Sequence, residues 1–463
     1  MASSVDEMEQ ALGVPDESSF LDFINMLDNV CLKKIFLYLS PGDRLNAEKV
    51  CKRWRAVSKV SWNNLKRLNF TKSDTYSTDF DKLPDIYKNI QSIAKILRRC
   101  GRYLRVLKLG KPCHYTMLPF VTKYCENLGR LNVCLSPAGN NISSISQIKS
   151  LTHFCLERMS NNSDSAVFRI LPCETLRGLH LITGECRYDY NIDGERSHLP
   201  DNYEYYLRNL KNLTSITIRS FHLDDAMETI INQNANVDSL SLADCTISGT
   251  FFITALTNLQ YLNLQNVLAV DNSFLDPLSR TCRKLVHLVL AFCSRIDDNG
   301  VMHLWRLPEL KVLSLDSMCL ITDGSLIGLR TLRELSCEHC RGIRNGEVIT
   351  LLRIAPDLRV LNLIGTGITR DVLFETHEVT KRRANGLSLK MFVDTSVTAN
   401  WIANNDSPLL IVETPDDARH PRRPRGERVY DDDDDYNSSY EFQYEYGSDS
   451  ESNEDEDTSD SDD

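Results

Sequence analysis

Leu285-Val286-His287-Leu288-Val289-Leu290-Ala291-Phe292-Cys293-Ser294-Arg295-Ile296-Asp297-Asp298-Asn299-Gly300 is one copy of the unit from which most of this chain is built. Its leucines fall at Leu-x-x-Leu-x-Leu. Upstream the same spacing stands at Leu104/Leu107/Leu109, Leu128/Leu131/Val133, Leu151/Phe154/Leu156 and Leu176/Leu179/Leu181. It continues at Leu213/Ile216/Ile218, Val237/Leu240/Leu242 and Leu259/Leu262/Leu264. Downstream it returns at Leu310/Leu313/Leu315, Leu332/Leu335/Cys337 and Leu358/Leu361/Leu363. First positions of these eleven copies are 24, 23, 25, 37, 24, 22, 26, 25, 22 and 26 residues apart. One such triplet arises by chance; eleven in register do not.

Apart from one interval, the spacing is the roughly 20–29-residue period of a leucine-rich repeat. Each Leu-x-Leu predicts a short strand whose leucines point into a core, with the intervening residues on the open face of a parallel sheet. Phe274–Cys282 and Glu347–Ile354 have helical spacing and are expected in an outer layer. No single repeat can bury its own apolar face, so stacking closes the core. Leu387-Ser388-Leu389, Trp401 and Leu409–Val412 are expected to cap the open end. The long interval places an insertion at Gly184–Tyr206, read as a surface loop because extra residues within the strands would break the stack.

Ahead of the repeats the period is helical. Leu32, Ile35, Phe36 and Leu39 fall at i, i+3, i+4 and i+7, the spacing of one buried helix face. Ser40-Pro41 supplies an N-cap and a proline at the first helical position. Ala47, Val50, Cys51 and Trp54 repeat the helical spacing, and Ile86, Ile90, Ile93 and Leu97 mark a further amphipathic helix ending near Cys100-Gly101.

Two resemblances carry these readings further. Leu27-Asp28-Asn29-Val30-Cys31-Leu32-Lys33-Lys34-Ile35-Phe36-Leu37-Tyr38-Leu39 aligns without a gap to the F-box pattern Leu-Pro-x-Glu-x-Leu-x-x-Ile-Phe-x-Tyr-Leu. Val50-Cys51-Lys52-Arg53-Trp54 matches its second half, and Trp62 lies where a following Trp is common. Asp28 and Val30 depart from the usual Pro and Glu. The repeats resemble the cysteine-containing subclass found in F-box proteins, through Cys293, Ile296, Asp297 and Gly300, Ile321-Thr322-Asp323-Gly324, and Cys340, Ile343 and Gly346. The pair of modules resembles the F-box and leucine-rich-repeat family, substrate receptors of Skp–cullin–F-box ubiquitin ligases.

The resemblance implies an α/β architecture: an N-terminal helical F-box, then a leucine-rich-repeat horseshoe solenoid with a parallel inner sheet and outer helices, then a disordered acidic tail. The expected divisions are a disordered N-terminus over 1–19, the F-box over 20–66, a linker and capping helix over 67–103, the solenoid with its cap over 104–412, and the tail over 413–463. It further implies that Leu27, Leu32, Ile35, Phe36, Leu39, Leu45, Val50, Cys51 and Trp54 bind a Skp-family adaptor and, through it, a cullin. An unidentified protein substrate is expected on the open sheet face at Arg219, Tyr261, Asn263, His287, Asp316 and Glu338, with the 184–206 insertion and its tyrosines as a second contact.

Other readings are weighed beside these. A hydrophobic core alone accounts for Ile35, Leu39, Val50 and Trp54 if the helical module only caps the solenoid. Acidic leucine-rich nuclear phosphoproteins also join repeats to an acidic tail, so a non-ligase scaffold or histone-binding protein is the alternative; those proteins lack an F-box, and residues 27–54 discriminate. Cys337-Glu338-His339-Cys340 suggests zinc, yet no second Cys-x-x-Cys exists, and repeat register makes both cysteines packing residues. No catalytic constellation, phosphate-cradling Gly loop, metal site or cofactor site is found, so the protein is read as non-enzymatic.

The chain has 463 residues and a formal net charge of -11, unevenly placed. Asp431–Asp463 holds 16 acidic residues and no Lys or Arg, which leaves 53 basic against 48 acidic residues, or +5, in the remainder. A tail of this composition buries too little apolar area to order itself. Arg422-Arg423-Pro424-Arg425 reads either as a nuclear import signal or as a Pro-rich linker. Ser438, Ser448, Ser452 and Ser459 each have an acid three residues on, which suits acidophilic kinases. Mixed charge over the repeats gives no nucleic-acid stripe, and no run of apolar residues is long enough to span a membrane. The first residues read as no secretory signal, so a cytoplasmic and/or nuclear location is expected, with the 15 cysteines as thiols.

Overall fold

The computed structural model describes residues 24 and 26–415, except the segments 72–77, 111–114, 135–144, 160–164, 184–196, 248–250, 399–400 and 402–406 and residues 170, 254 and 323. The tail, the first 23 residues, Tyr188 and Tyr190 lie outside the described residues, as do the readings made of them.

Three helices open the chain: α1 (Asn29–Leu37), α2 (Pro41–Val50) and α3 (Lys52–Ser61). Asp28, the departure from the family's proline, caps α1: its carboxylate accepts the Cys31 N–H at 2.6 Å, satisfying one of the free donors of the first turn. Ser40 caps α2, accepting from the Asp43 N–H at 3.2 Å. Leu32, Phe36, Ala47 and Val57 form the module's inner cluster, with Leu39 and Trp54 packed on it; Phe36 and Trp54 meet edge-on, centroids 5.1 Å apart. The helical spacing read through Val50, Cys51 and Trp54 does not describe one continuous face. Cys51 is extended, at φ -155 and ψ 172, and caps α3. This break rotates Val50 and Cys51 out to solvent.

The repeats build a sheet of 14 parallel strands. They are β1 (Arg67–Phe70), β2 (Val106–Leu109), β3 (Arg130–Cys134), β4 (His153–Met159), β5 (Gly178–Thr183), β6 (Ser215–Arg219), β7 (Ser239–Ser241), β8 (Tyr261–Asn263), β9 (His287–Val289), β10 (Val312–Ser314), β11 (Glu334–Ser336), β12 (Val360–Asn362), β13 (Leu389–Phe392) and β14 (Leu410–Glu413). Second-position leucines pair with one another from strand to strand, for example Leu262 with Leu288 and Leu288 with Leu313. The leucine ladder is fully buried. Eleven strands are the eleven copies read from the sequence. The connector read as a linker holds a further strand, β1, whose Leu65, Leu68 and Phe70 are a degenerate copy of the pattern. The segments read as a cap supply β13 and β14, which prolong the sheet.

Two devices recur in register. Two residues past the third apolar position the backbone turns left-handed: Arg158, Ser220, Asp244, Asn266, Phe292, Ser317, His339 and Gly365 have φ between 55° and 69°. This turn aims its N–H at the next repeat, as in Asp244 to the Gln265 carbonyl at 2.8 Å and His339 to the Ile364 carbonyl at 2.7 Å. The repeat cysteines are the second device. Cys245, Cys293 and Cys340 donate to the carbonyls of Ile218, Leu264 and Leu315 in the preceding repeat, at 3.3, 3.2 and 2.9 Å. Burial pushes the Cys293 and Cys340 thiols up to about 12, so they remain protonated and packed.

Outer helices include α4 (Ile90–Cys100), whose buried face is Ile93, Ile96, Leu97 and Cys100. Ile86 and Ile90, read as part of that face, are exposed because Asn89 caps the helix only at Ile90. The 184–206 insertion contains more than a loop. Ser197–His198 joins Phe221–Leu223 and Thr246–Ile247 in a small side sheet, and Tyr203–Leu207 is a helix. Tyr203 is buried and donates to Asp224; Tyr205 is exposed; Tyr206 packs on the core. Among the described residues no helix is long and apolar enough to cross a membrane.

Candidate functional site

Two surfaces carry the candidate residues. On the helical module, packing sorts them. Leu32 and Phe36 are buried inside it, and Leu45 belongs to the solenoid's core. Leu32 and Phe36 close the module, and Leu45 joins it to the repeats. Leu39 and Trp54 are half-buried against the same cluster, and Leu27 is half-buried with its carbonyl accepting from Arg53. What faces outward is Cys31, Ile35 and Tyr38, at i, i+4 and i+7 on α1, with Val30 beside them and Val50 and Cys51 at the break after α2. Ile35 is 47% exposed, Val50 62% and Tyr38 92%. The reading of Ile35 as a buried-face residue is therefore reversed. Ile35 and Tyr38 lie one turn apart, an exposed apolar stripe on a module that has its own core.

The module is fixed to the repeats. Arg44 is 1% exposed. Its guanidinium donates to the carbonyls of Leu39 (3.0 Å), Ser61 (2.7 Å) and Leu37 (2.6 Å) and to Asn64 Oδ1 (2.8 Å), joining the ends of α1 and α3. Burial lowers its pKa. Trp62 Nε1 donates to Glu48 Oε1 at 3.1 Å, and Arg99 of α4 donates to Glu48 Oε2 at 2.6 Å. Lys49 donates to the Tyr87 hydroxyl, which donates to Asn46. Leu45 and Trp62 run into the same apolar core as Leu68, Phe70 and the leucine ladder. Sequence reasoning missed Arg44, Glu48, Arg99 and Tyr87, since helical spacing does not reveal hydrogen-bond partners 5 to 51 residues away.

On the open sheet face, Arg219, Tyr261, Asn263, His287, Asp316 and Glu338 lie between β6 and the turn after β11, about 24 Å at the usual strand spacing of about 4.8 Å. They form a strip, and the structure gathers only some of them. Tyr261 and His287 face each other across β8 and β9, rings 4.9 Å apart. Burial pushes His287 down to about 4, so it is neutral at pH 7. Arg219 pairs with Asp244 at 3.2 Å, and Asn266 donates to the same carboxylate at 3.1 Å. Asn263 is engaged in its own turn, accepting the Gln265 N–H at 2.9 Å.

Asp316 is 3% exposed and accepts from Ser314 Oγ at 2.9 Å, the Glu338 N–H at 2.8 Å and Ser336 Oγ; it holds β10 to β11. Desolvation raises its pKa, and desolvation with the Asp316 charge raises that of Glu338, which accepts from Asn362 Nδ2 at 2.9 Å. Among the described residues no group of three or more His, Cys, Asp or Glu is placed to hold a metal.

Residues 24–66 match the family model of the F-box domain. Among solved structures, an internalin from Listeria monocytogenes is similar at 17% identity, over 71% of this chain and 89% of that one, with a TM-score of 0.43. The Rad7 and Elc1 complex of yeast is similar at 15% identity, over 91% of this chain and 100% of that one, also at 0.43. At that distance neither bears on what this chain binds. The helical module matches the F-box domain, and the in-register ladder of parallel leucine strands behind it has the build of a leucine-rich-repeat solenoid.

Proposed function

We propose that this chain is the substrate-recognition subunit of a Skp–cullin–F-box ubiquitin ligase, acting in the cytoplasm or nucleus. The F-box docks on a Skp-family adaptor, the repeats hold a protein substrate on the open sheet face, and another subunit transfers ubiquitin. The chain's contribution is proximity: it raises the effective concentration of substrate lysines near the charged conjugating enzyme. One observation supports this reading above all. Residues 24–66 match the F-box, and their Ile35, Tyr38 and Val50 are left exposed although the module has its own core.

The test is co-purification of the full chain with a Skp-family adaptor, for wild type and for Ile35→Asp with Val50→Asp. Hot-spot anchors contribute about 2 kcal/mol or more each, so the double variant is expected to lose the adaptor while its melting profile stays that of wild type. Undiminished capture by the folded double variant would sink the assignment. For the substrate face, Tyr261→Ala with His287→Ala is expected to lower crosslinked partners without unfolding the repeats.

A further inference from the structure

On the outer layer the helices Asn345–Ile354 and Asp371–Lys381 pack side by side. Between them lies an open groove of about 640 Å³. Leu352, Pro356, Phe374 and Val379 give it an apolar wall, and around it Arg353, Arg382 and Arg383 outnumber Glu375 and Glu378. Phe374 is 51% exposed, although one edge meets Trp401 with centroids 5.1 Å apart. The rim carboxylate of Glu378 is already met within its own helix region by Lys381 at 3.4 Å and Arg382 at 3.9 Å. Arg353 has no ion pair among the described residues.

Arg383 is the unusual member. One guanidinium nitrogen donates to the Leu358 carbonyl at 2.7 Å. Its Nε and Nη2 are buried with no hydrogen-bond partner. Burial lowers its pKa, opposed by Asp357, whose own carboxylate takes a hydrogen bond from Asn385 at 3.2 Å. A guanidinium offers five donors in a planar fork, and leaving buried donors unmet is unfavourable. A planar carboxylate matches that fork in bidentate fashion.

We propose that this groove docks an extended protein segment carrying a carboxylate beside a large apolar side chain. The carboxylate pairs with Arg383, drawing it toward the groove, with Arg353 at the rim; the apolar side chain lies on Phe374 and Val379. Helices of 10 and 11 residues run about 15 Å at about 1.5 Å per residue. That length accommodates about four or five extended residues, which favours a peptide over a small carboxylate. The groove is on the helix layer, so this site is independent of the sheet face assigned to the substrate.

The probe is a rhodamine-labelled octapeptide with an aspartate–leucine–aspartate core between glycines and serines, read by anisotropy against the full chain; the control has lysines in place of the aspartates. At low salt the acidic probe is expected to bind at least tenfold more tightly than the basic one, with affinity falling as salt rises. Arg383→Met and Phe374→Ser are each expected to weaken it tenfold or more. Because Arg383 also holds Leu358, its fold is checked by circular dichroism, and Phe374→Ser, at an exposed position, gives the variant free of that concern. Equal binding of the two probes, acidic binding indifferent to both variants, or a dimer in sedimentation that Phe374→Ser dissociates would each overturn the proposal. The last result would mean that a second copy covers the groove.

Discussion

Glu48 and Arg99 form an ion pair at 2.6 Å that joins the second helix of the F-box to α4, the first long helix of the repeat array. Glu48 is 7% exposed and its other oxygen accepts from Trp62 Nε1. The F-box is therefore not a tethered module. Its exposed stripe at Cys31, Ile35 and Tyr38 and the open face of the sheet belong to one packed body, because Leu45 and Trp62 share a core with the leucine ladder. For the proposed receptor role such a joint is favourable, since a fixed spacing raises effective concentration over that of a floppy linker.

Glu48→Ala removes both bonds and strands the Arg99 and Trp62 donors. Breaking a buried pair from one side costs about 3–5 kcal/mol. Arg99 is partly exposed, at 30% of its side chain, so water recovers some of this and about 2 kcal/mol is expected. Urea unfolding followed by far-UV circular dichroism measures it. A loss below a few tenths of a kcal/mol would show that the apolar contacts alone carry the joint.

Within the F-box, two neighbouring residues are expected to behave oppositely. Phe36→Ala opens a cavity against Trp54 and costs about 3–5 kcal/mol. Ile35→Ala, one residue away and 47% exposed, changes stability by about 0.5 kcal/mol or less, as a surface substitution does. Melting of the two variants separates them. If Ile35→Ala melts as low as Phe36→Ala, α1 is rotated from the position described.

The repeat spine was legible because Leu-x-x-Leu-x-Leu is local and period-bound, and eleven copies correct one another. The ends were not. β1 reads Leu65, Leu68 and Phe70, and in β13 and β14 Met391 and Val412 stand opposite one another at the second position, so each terminal copy keeps only part of the signature. The helical pattern of the F-box was legible, but spacing could not say which of Val50, Cys51 and Trp54 faced inward. That depended on Cys51 breaking the helix, which a Val-Cys-Lys-Arg-Trp run does not advertise. The burial of Asp316 was hidden for another reason. Its position past the strand is outward by pattern, yet Ser314 and Ser336 on two strands turn it into a tie between repeats.

Gly365 occupies the recurrent left-handed turn at φ 69°. The other described members of this register carry side chains, yet Gly365 cannot: a Cβ there would lie 2.2 Å from His339 Nδ1. Gly365→Ala is expected to cost about 1–3 kcal/mol, from strain and displacement of His339. Differential scanning calorimetry should show a lower melting temperature, and the companion change His339→Ala should recover part of the loss. No recovery would assign the cost to the backbone alone.

Three histidines on the open sheet face make stability depend on pH. Burial pushes His153, His180 and His287 down to about 4, helped by Arg130 for the first two and by His153 for His180. The ordinary value is 6.5. Between pH 6.5 and 4 the unfolded chain takes up these protons and the folded chain does not, so stability falls as pH falls through that window. A tenfold change in a ring's proton affinity corresponds to about 1.4 kcal/mol, and three partly covered rings put a few kcal/mol into the window. Asp316 and Glu338 act in the opposite sense: their raised pKa values mean that the folded state takes up protons first, which offsets part of the loss in acid. The net expectation is a urea midpoint that declines from pH 7.5 to pH 5. His287→Asn, which cannot take a proton, should flatten that decline while leaving the pH 7.5 midpoint close to wild type. A variant whose midpoint falls as steeply as wild type would show that the ring of His287 is solvated in the folded protein and that its stacking on Tyr261 does not exclude water.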